Sequence, residues 1–146
     1  MTQEQKDLLI KDLCARLPYK PIVQIDNCGI WNLRGIDHDD SVELRDRVIV
    51  WHGKNYPSSK NSFPITDCKP YLFPLSRIYD NEELRKEFDS LIELELKAIS
   101  DEITPTQTTE FEVDFYNKHH IDWRGLIPMG LAIDATNLNI YKKLKS

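Results

Sequence analysis

Apolar residues recur with two different periods along this chain, and these periods predict a helix first and strands after it. Three leucines between positions 9 and 17 are spaced four residues apart, which is the spacing of one face of a helix. Thr2 followed by Gln5 is a capping-box pattern, so the helix is predicted to begin there. Pro18 is predicted to end it, because proline donates no hydrogen bond and disfavours helical conformation in the residue before it.

The segment after this helix predicts a small antiparallel sheet. Its apolar stretches are residues 22–25, 30–33 and 42–51. In the third stretch apolar residues occupy every second position over most of its length, which is typical of a strand with one buried face. Asn27 and Gly29 predict a turn between the first two strands. Short strands with tight connections predict a twisted meander, similar to an SH3-like half-barrel.

Polar residues and prolines predict an irregular middle of the chain. Residues 53–68 are rich in glycine, proline, serine, asparagine and lysine, and they predict a long loop. Residues 69–74 form an extended piece that contains Pro70 and Pro74. Because proline cannot donate to a strand ladder, this piece is predicted to lie at the edge of the sheet.

Two further helices and an irregular C-terminal segment complete the prediction. A long helix is predicted from Asp80 to about Ser100. Residues 101–107 are predicted to be a linker, and Thr108 or Thr109 is predicted to cap a short helix after it. The whole chain is therefore predicted to be a single α+β domain, because its strands are consecutive and its helices are segregated from them.

Composition and charge narrow the class of protein. The 146 residues suffice for one domain of ordinary size, and 40% hydrophobic and 29% charged residues are globular values. A net charge of −5 disfavours non-specific binding to nucleic acid, which needs clustered lysine and arginine. No apolar stretch approaches the roughly 20 residues of a membrane helix, no secretory signal is recognisable, and the three cysteines form no C-x-x-C pair. A cytoplasmic protein that does not enter a membrane is expected.

Residues 117–134 are the most informative part of the sequence. Polar side chains with long reach crowd into six positions: His119, His120, Asp122, Trp123 and Arg124. An apolar run follows that is broken by two glycines and a proline, and it is expected to be buried. Such a pattern is typical of a structural latch and also of the wall of a binding site, and the sequence does not decide between them.

The same residues do not predict a metal or a cofactor. Adjacent residues on a helix point about 100° apart, so His119 and His120 do not readily meet one ion. The chain contains no P-loop and no G-x-G-x-x-G motif. In the structural interpretation one histidine caps the end of a helix and the other packs beside the neighbouring tryptophan. Arg124 is then predicted to pair with Asp122 or Asp134.

Aromatic side chains near arginines are the better indication of a binding surface. They are Trp31, Trp51, Tyr71, Phe73 and Trp123, with Arg124 among the nearby arginines. Such a set can stack a flat ring and hold a phosphate in fork geometry. It can also form a protein interface, because tryptophan, tyrosine and arginine dominate interface hot spots. The remaining alternative is an aromatic core with solvated arginines.

Four phrases of the sequence resemble those of a known group of proteins. They are residues 11–19 (KDLCARLPY), 69–76 (KPYLFPLS), 119–127 (HHIDWRGLI) and 130–136 (GLAIDAT). In that order they resemble a family of short uncharacterised proteins from phages and mobile elements of gut anaerobes. The resemblance covers both ends and the middle of the chain, and not the intervening strands or the predicted loop. It implies a phage or prophage accessory protein, and it supplies no catalytic residue.

Three functions follow from these observations, in order of preference. The first is a non-enzymatic protein that binds a host or phage protein through the predicted edge strand and the aromatic–arginine surface. The second is a sponge that sequesters a small nucleotide signal between the subunits of a homo-oligomer. The third is an enzyme whose histidine and aspartate side chains assemble only in the fold.

Overall fold

The described part of the chain folds into helices and one mixed sheet, which confirms the predicted α+β class. The computed structural model describes residues 1–37, 47–51, 60–100, 105–138 and 140–141. The helices are α1 (Gln3–Arg16), α2 (Arg77–Asp80), α3 (Glu82–Ser100) and α4 (Pro105–Lys118). The strands are β1 (Ile22–Ile25), β2 (Gly29–Asp37), β3 (Arg47–Trp51), β4 (Lys60–Pro64), β5 (Cys68–Leu72) and β6 (Ile133–Asp134).

Strands β1 to β3 follow the predicted three-stranded meander, and the sheet is larger than predicted because β4, β5 and β6 extend it. Its order is β4-β3-β2-β1-β5-β6, with antiparallel neighbours throughout except for the parallel pair β5 and β6. The turn between β1 and β2 lies where it was predicted, with Asn27 at φ 62° and Gly29 at φ 91°. The first helix is also confirmed, because the hydroxyl of Thr2 accepts the N–H of Gln5 at 3.1 Å.

The prediction of a loop over residues 53–68 is wrong in its second half. Lys60–Pro64 is strand β4, which pairs with β3, and a short 3₁₀ helix follows it at Ile65–Asp67. Within the described residues β4 lies at the edge of the sheet, where a strand needs no continuous apolar face. Its polar sequence therefore looked like a loop. Residues 52–59, and the first half of the strand predicted over 42–51, lie outside the described residues.

The prediction that residues 69–74 form an edge strand is also wrong. Strand β5 lies between β1 and β6, and Pro70 is paired with Val23 and buried. The carbonyl oxygen of Leu72 accepts the N–H of Ala135, so the backbone groups of Leu72 point away from β1. Pro70 lies two residues earlier on β5, and its backbone groups point the same way. Strand β6 pairs with Tyr71 and Leu72, beyond the proline. A proline is accepted inside this sheet because its ladder position needs no donor.

The helix starts differ from the predicted ones. The side chain of Asn81, not Asp80, accepts the N–H of Leu84 at 3.0 Å at the start of α3, and the short helix α2 precedes it. Helix α4 begins at Pro105, within the predicted linker, so Thr108 and Thr109 lie inside the helix and do not cap it. Proline suits the first turn of a helix, because the N–H it lacks would have no partner there.

Three hydrophobic clusters hold the described elements together, and residues 121–141 contribute to each. The first, beneath α1 on one sheet face, includes Leu126, Leu131 and Ala132. The second, on the opposite face of β1 and β5, includes Ala135 and Tyr141. The third, between α2, α3 and α4, includes Ile121. The described residues between 121 and 141 therefore pack against the sheet and connect all three clusters.

The cysteines are structurally unequal. Cys68 is fully buried on β5, and burial, with a smaller effect of the carboxylates of Asp26 and Asp67, raises the pKa of its thiol to about 12. Cys14 is exposed on α1. No helix within the described residues has the length and apolarity that crossing a membrane requires.

Candidate functional site

Helix α4 ends in a motif that directs the chain back onto the sheet. The N–H of Ile121 donates to the carbonyl of Tyr116 at 2.8 Å, and the N–H of His120 donates to Asn117 at 3.2 Å. These two bonds are a Schellman motif, in which the residue after the cap takes the left-handed conformation. His120 occupies that position with φ 57°, where glycine is usual and histidine is among the tolerated exceptions.

The ring of His120 is buried and belongs to the core. It stacks on the ring of Tyr141, with centroids 3.8 Å apart and planes 13° apart. The hydroxyl of Tyr141 accepts the N–H of Ile22 at 3.0 Å and donates to the carbonyl of Tyr71 at 2.9 Å. It therefore connects β1 and β5, and burial raises the pKa of this phenol.

Asp122 organises the turn that follows. Its two carboxylate oxygens accept the backbone N–H of Leu126 at 2.7 Å and of Ile127 at 2.8 Å. Gly125 adopts φ 79° inside this turn, a conformation that disfavours any residue with a Cβ. The Asp122 side chain is buried and holds the chain so that Leu126 enters the core. This is the latch arrangement.

A buried ionic cluster joins the turn to α1. Arg16 donates from Nε to Asp12 Oδ2 at 2.8 Å, and from Nη2 to Asp12 Oδ1 at 3.1 Å and to the carbonyl of Ile121 at 2.7 Å. Arg124 donates from Nε to Asp12 Oδ1 at 3.2 Å. The predicted partners of Arg124, Asp122 and Asp134, are therefore wrong. We call Asp12, Arg16 and Arg124 the ionic cluster.

Burial makes the charges of this cluster costly. The side chains of Asp12 and Arg16 are 0% exposed and that of Arg124 is 10% exposed. Burial lowers the pKa of Arg124, the carboxylate of Asp12 acts to raise it, and the positive charge of Arg16 lowers it again. Nη1 of Arg16 is buried with no hydrogen-bond partner among the described residues. Two guanidinium groups thus share one carboxylate.

Half-buried aromatic rings lie on the other side of Arg124. The ring of Phe88 on α3 stacks on Tyr116 of α4, with centroids 6.3 Å apart, and Tyr116 stacks on Trp123 at 6.4 Å. The guanidinium carbon of Arg124 lies 4.0 Å from the centroid of the Trp123 ring. The indole N–H of Trp123 donates to Asn117 at 3.1 Å. We call Phe88, Tyr116 and Trp123 the aromatic strip.

The other predicted site residues lie apart from the strip. Tyr71 and Phe73 are 4% and 8% exposed and belong to the hydrophobic cluster with Tyr141. Trp31 packs at the margin of the core beneath α1, 5.7 Å from the ring of Phe63. Trp51 pairs with Asn32 across β2 and β3, and its side chain lies outside the described residues.

His119 connects two helices. Its Nε2 lies 2.8 Å from a carboxylate oxygen of Glu87 on α3, and its ring centroid lies 4.8 Å from that of Phe115. Lys118 lies 3.3 Å from the same glutamate. Within the described ranges, no three histidine, cysteine, aspartate or glutamate side chains converge as a metal site would require.

Asp12, Arg16, Phe88 and Tyr116 were missed as site residues, although one signal for the first two is present in the sequence. Counted from Leu9, positions 12 and 16 fall at i+3 and i+7, on the stripe that α1 buries. An acid and a base four residues apart on a buried stripe indicate an internal ion pair. For the ring contacts between α3 and α4 the sequence offers no comparable signal.

Comparisons with known proteins add no relative to this description. No protein-family model, no curated protein and no solved structure matches this chain. The functional argument therefore rests on the residues and their geometry.

Proposed function

We propose that this chain is a non-enzymatic accessory protein of phage or prophage origin that binds a host or phage protein through the aromatic strip and Arg124. The observation that carries the proposal is the continuous contact from Phe88 through Tyr116 and Trp123 to the guanidinium of Arg124. Tyrosine, tryptophan and arginine are the residue types that contribute most to binding at protein interfaces. The phrases that resemble phage proteins support the proposed origin.

Rigidity also supports this surface as a place of binding. Trp123 is held by its bond to Asn117, which is buried, by the ring of Tyr116 and by the guanidinium of Arg124. Arg124 is held by Asp12. Side chains that are ordered before a partner arrives lose less conformational entropy on binding, so more of their contact energy appears as affinity.

Affinity capture with matched variants tests the proposal. The immobilised wild-type chain is exposed to a lysate of the organism that carries the gene, captured proteins are identified by mass spectrometry, and each is purified for calorimetry. Tyr116→Ala is expected to weaken the complex by about 2 kcal/mol, the loss typical of a hot-spot tyrosine. Tyr79→Ala is the matched control, since Tyr79 on α2 is 72% exposed and lies outside the strip. Equal affinity of both variants and the wild type would contradict the proposal.

A small-molecule sponge for a nucleotide signal is the second candidate, and one observation favours it. A guanidinium lying on an indole ring offers a flat stacking surface beside a phosphate-binding group. Under this alternative, a panel of nucleotides should include one that raises the melting temperature of the chain in a concentration-dependent way, by mass action. No shift with any nucleotide of the panel would leave the protein-binding proposal alone.

A further inference from the structure

We propose that the exposed edge of Arg124 binds one carboxylate group, supplied by an acidic side chain of the partner protein. This inference rests on the proposed function and specifies the chemistry of the partner. It identifies Arg124 as the residue that recognises charge, while the aromatic strip supplies the apolar contact next to it.

The hydrogen bonds of Arg124 leave one edge of its guanidinium available. Nε is engaged by Asp12, and one face of the planar group lies on the Trp123 ring. For the terminal nitrogens of Arg124, the part of the chain that the structure describes provides no hydrogen-bond acceptor. Two parallel N–H groups at the end of a guanidinium match the two oxygens of a carboxylate.

The charge count around Arg124 favours an anion with a single negative charge. The ionic cluster holds two positive groups and one negative group, an excess of one positive charge. Asp122 lies nearby in sequence, but the charges that act on Arg124 are those of Asp12 and Arg16. One carboxylate would balance the excess, at a site where burial makes an uncompensated charge costly.

The surroundings favour a carboxylate over a phosphate. The chain carries a net charge of −5. A doubly charged phosphate would overcompensate the local excess and be repelled more strongly by the rest of the chain. Only 10% of the Arg124 side chain is exposed, so a small group has the best access to it.

Arginine-detected NMR on the intact chain tests the inference. The probes are acetate and inorganic phosphate, titrated at constant ionic strength while the Nε–H signals of the arginines are followed. The signal of Arg124 is identified by its disappearance in Arg124→Lys. Acetate is expected to shift this signal saturably, and to bind more tightly than phosphate.

Arg77 provides the internal control. Its guanidinium also lies on an aromatic ring, 3.8 Å from the centroid of Phe73, but the carboxylate of Asp80 already acts on it. Its signal should not show a saturable shift with acetate. In Arg124→Gln, followed through the indole N–H signal of Trp123, acetate affinity should fall by about tenfold or more, as expected for a lost charge-assisted hydrogen bond.

The outcomes separate this inference from the proposed function. If the Arg124 signal does not respond to acetate, or if the chain binds phosphate more tightly than acetate at this site, the carboxylate assignment is wrong even if a protein partner is captured. A captured partner that binds wild type and Arg124→Gln equally would overturn it as well. A saturable acetate shift without any captured partner would support the anion site while the proposed function fails.

Discussion

The ionic cluster and the aromatic strip meet at Arg124 but differ in how deeply their side chains are buried. Asp12 and Arg16 have no exposed surface, whereas Phe88, Tyr116 and Trp123 are half-buried. A buried charge that loses its partner retains its full desolvation cost, so the cluster is expected to determine stability. Truncating a half-buried ring costs less stability in the free protein than truncating a fully buried group. It costs more binding free energy when a partner covers that ring. We therefore expect the ionic cluster to stabilise the fold and the aromatic strip to carry the proposed binding.

The largest expected effect comes from removing the shared carboxylate. Asp12→Ala leaves two buried guanidinium groups without their common partner, and should lower the free energy of unfolding by about 3–5 kcal/mol in urea denaturation. Asp7→Ala is the control, because Asp7 lies exposed on the same helix and loses the same charge. Its cost should stay within about 0.5 kcal/mol.

A double substitution sharpens this prediction. The double substitution Asp12→Leu and Arg16→Met, made in an Arg124→Met background so that no charge of the ionic cluster stays unpaired, should recover most of the lost stability, since apolar side chains of similar volume often replace a buried ionic group without cost. If Asp12→Ala were no more harmful than Asp7→Ala, the assignment of the cluster to stability would be wrong.

A smaller loss is expected at Asp122, the buried carboxylate of the latch. Asp122→Ala leaves the N–H groups of Leu126 and Ile127 without their acceptor, which should cost about 2–3 kcal/mol in the same measurement. Asp122→Asn should cost less, because its remaining oxygen can still accept one of the two. Asp134, an exposed aspartate that accepts the N–H of Thr136 at 2.9 Å, provides the control as Asp134→Ala. Equal losses at 122 and 134 would show that burial of the latch carboxylate is unimportant.

The smallest expected effect concerns Trp123, where the two regions touch. Trp123→Phe keeps a ring but removes the donor to buried Asn117, so a cost of about 1 kcal/mol is expected. Trp31→Phe removes the same atoms where the indole N–H donates to an exposed carbonyl, that of Cys28 at 2.9 Å. Water replaces that bond, so the difference between the variants reports the hydrogen bond to Asn117. A larger loss of stability at Trp31 would contradict this prediction, because the hydrogen bond from Trp123 to Asn117 would then contribute little.

Much of the local structure could be predicted because it depends on neighbours in sequence. The capping box at Thr2, the four-residue leucine spacing of α1 and the turn at Gly29 act within a few residues, and all three are confirmed. The apolar stripe of α3 likewise predicted that helix, although its cap is Asn81.

Other parts could not be predicted because they depend on partners far along the chain. Strand β4 is defined by its pairing with β3, and β5 became internal only because β6 lies beside it. The partner of Arg124 is 112 residues away in sequence, while nearer aspartates were available. Such contacts leave no periodic pattern in the sequence. The free energy that desolvation costs, and the free energy that pairing returns, arise only when folding removes the surrounding surface from water.

For this protein the sequence by itself determined the α+β class, the cap at Thr2, the turn at Gly29, and the crowding of charged and aromatic residues into positions 119–124. The tertiary structure decided which of these side chains became internal. It buried His120 on Tyr141 and Asp122 on two amides, and it left Trp123 half-exposed beside Arg124. The physical reason is that residue type sets what a side chain can bind, whereas burial sets whether that bond stabilises the fold or remains available to a partner.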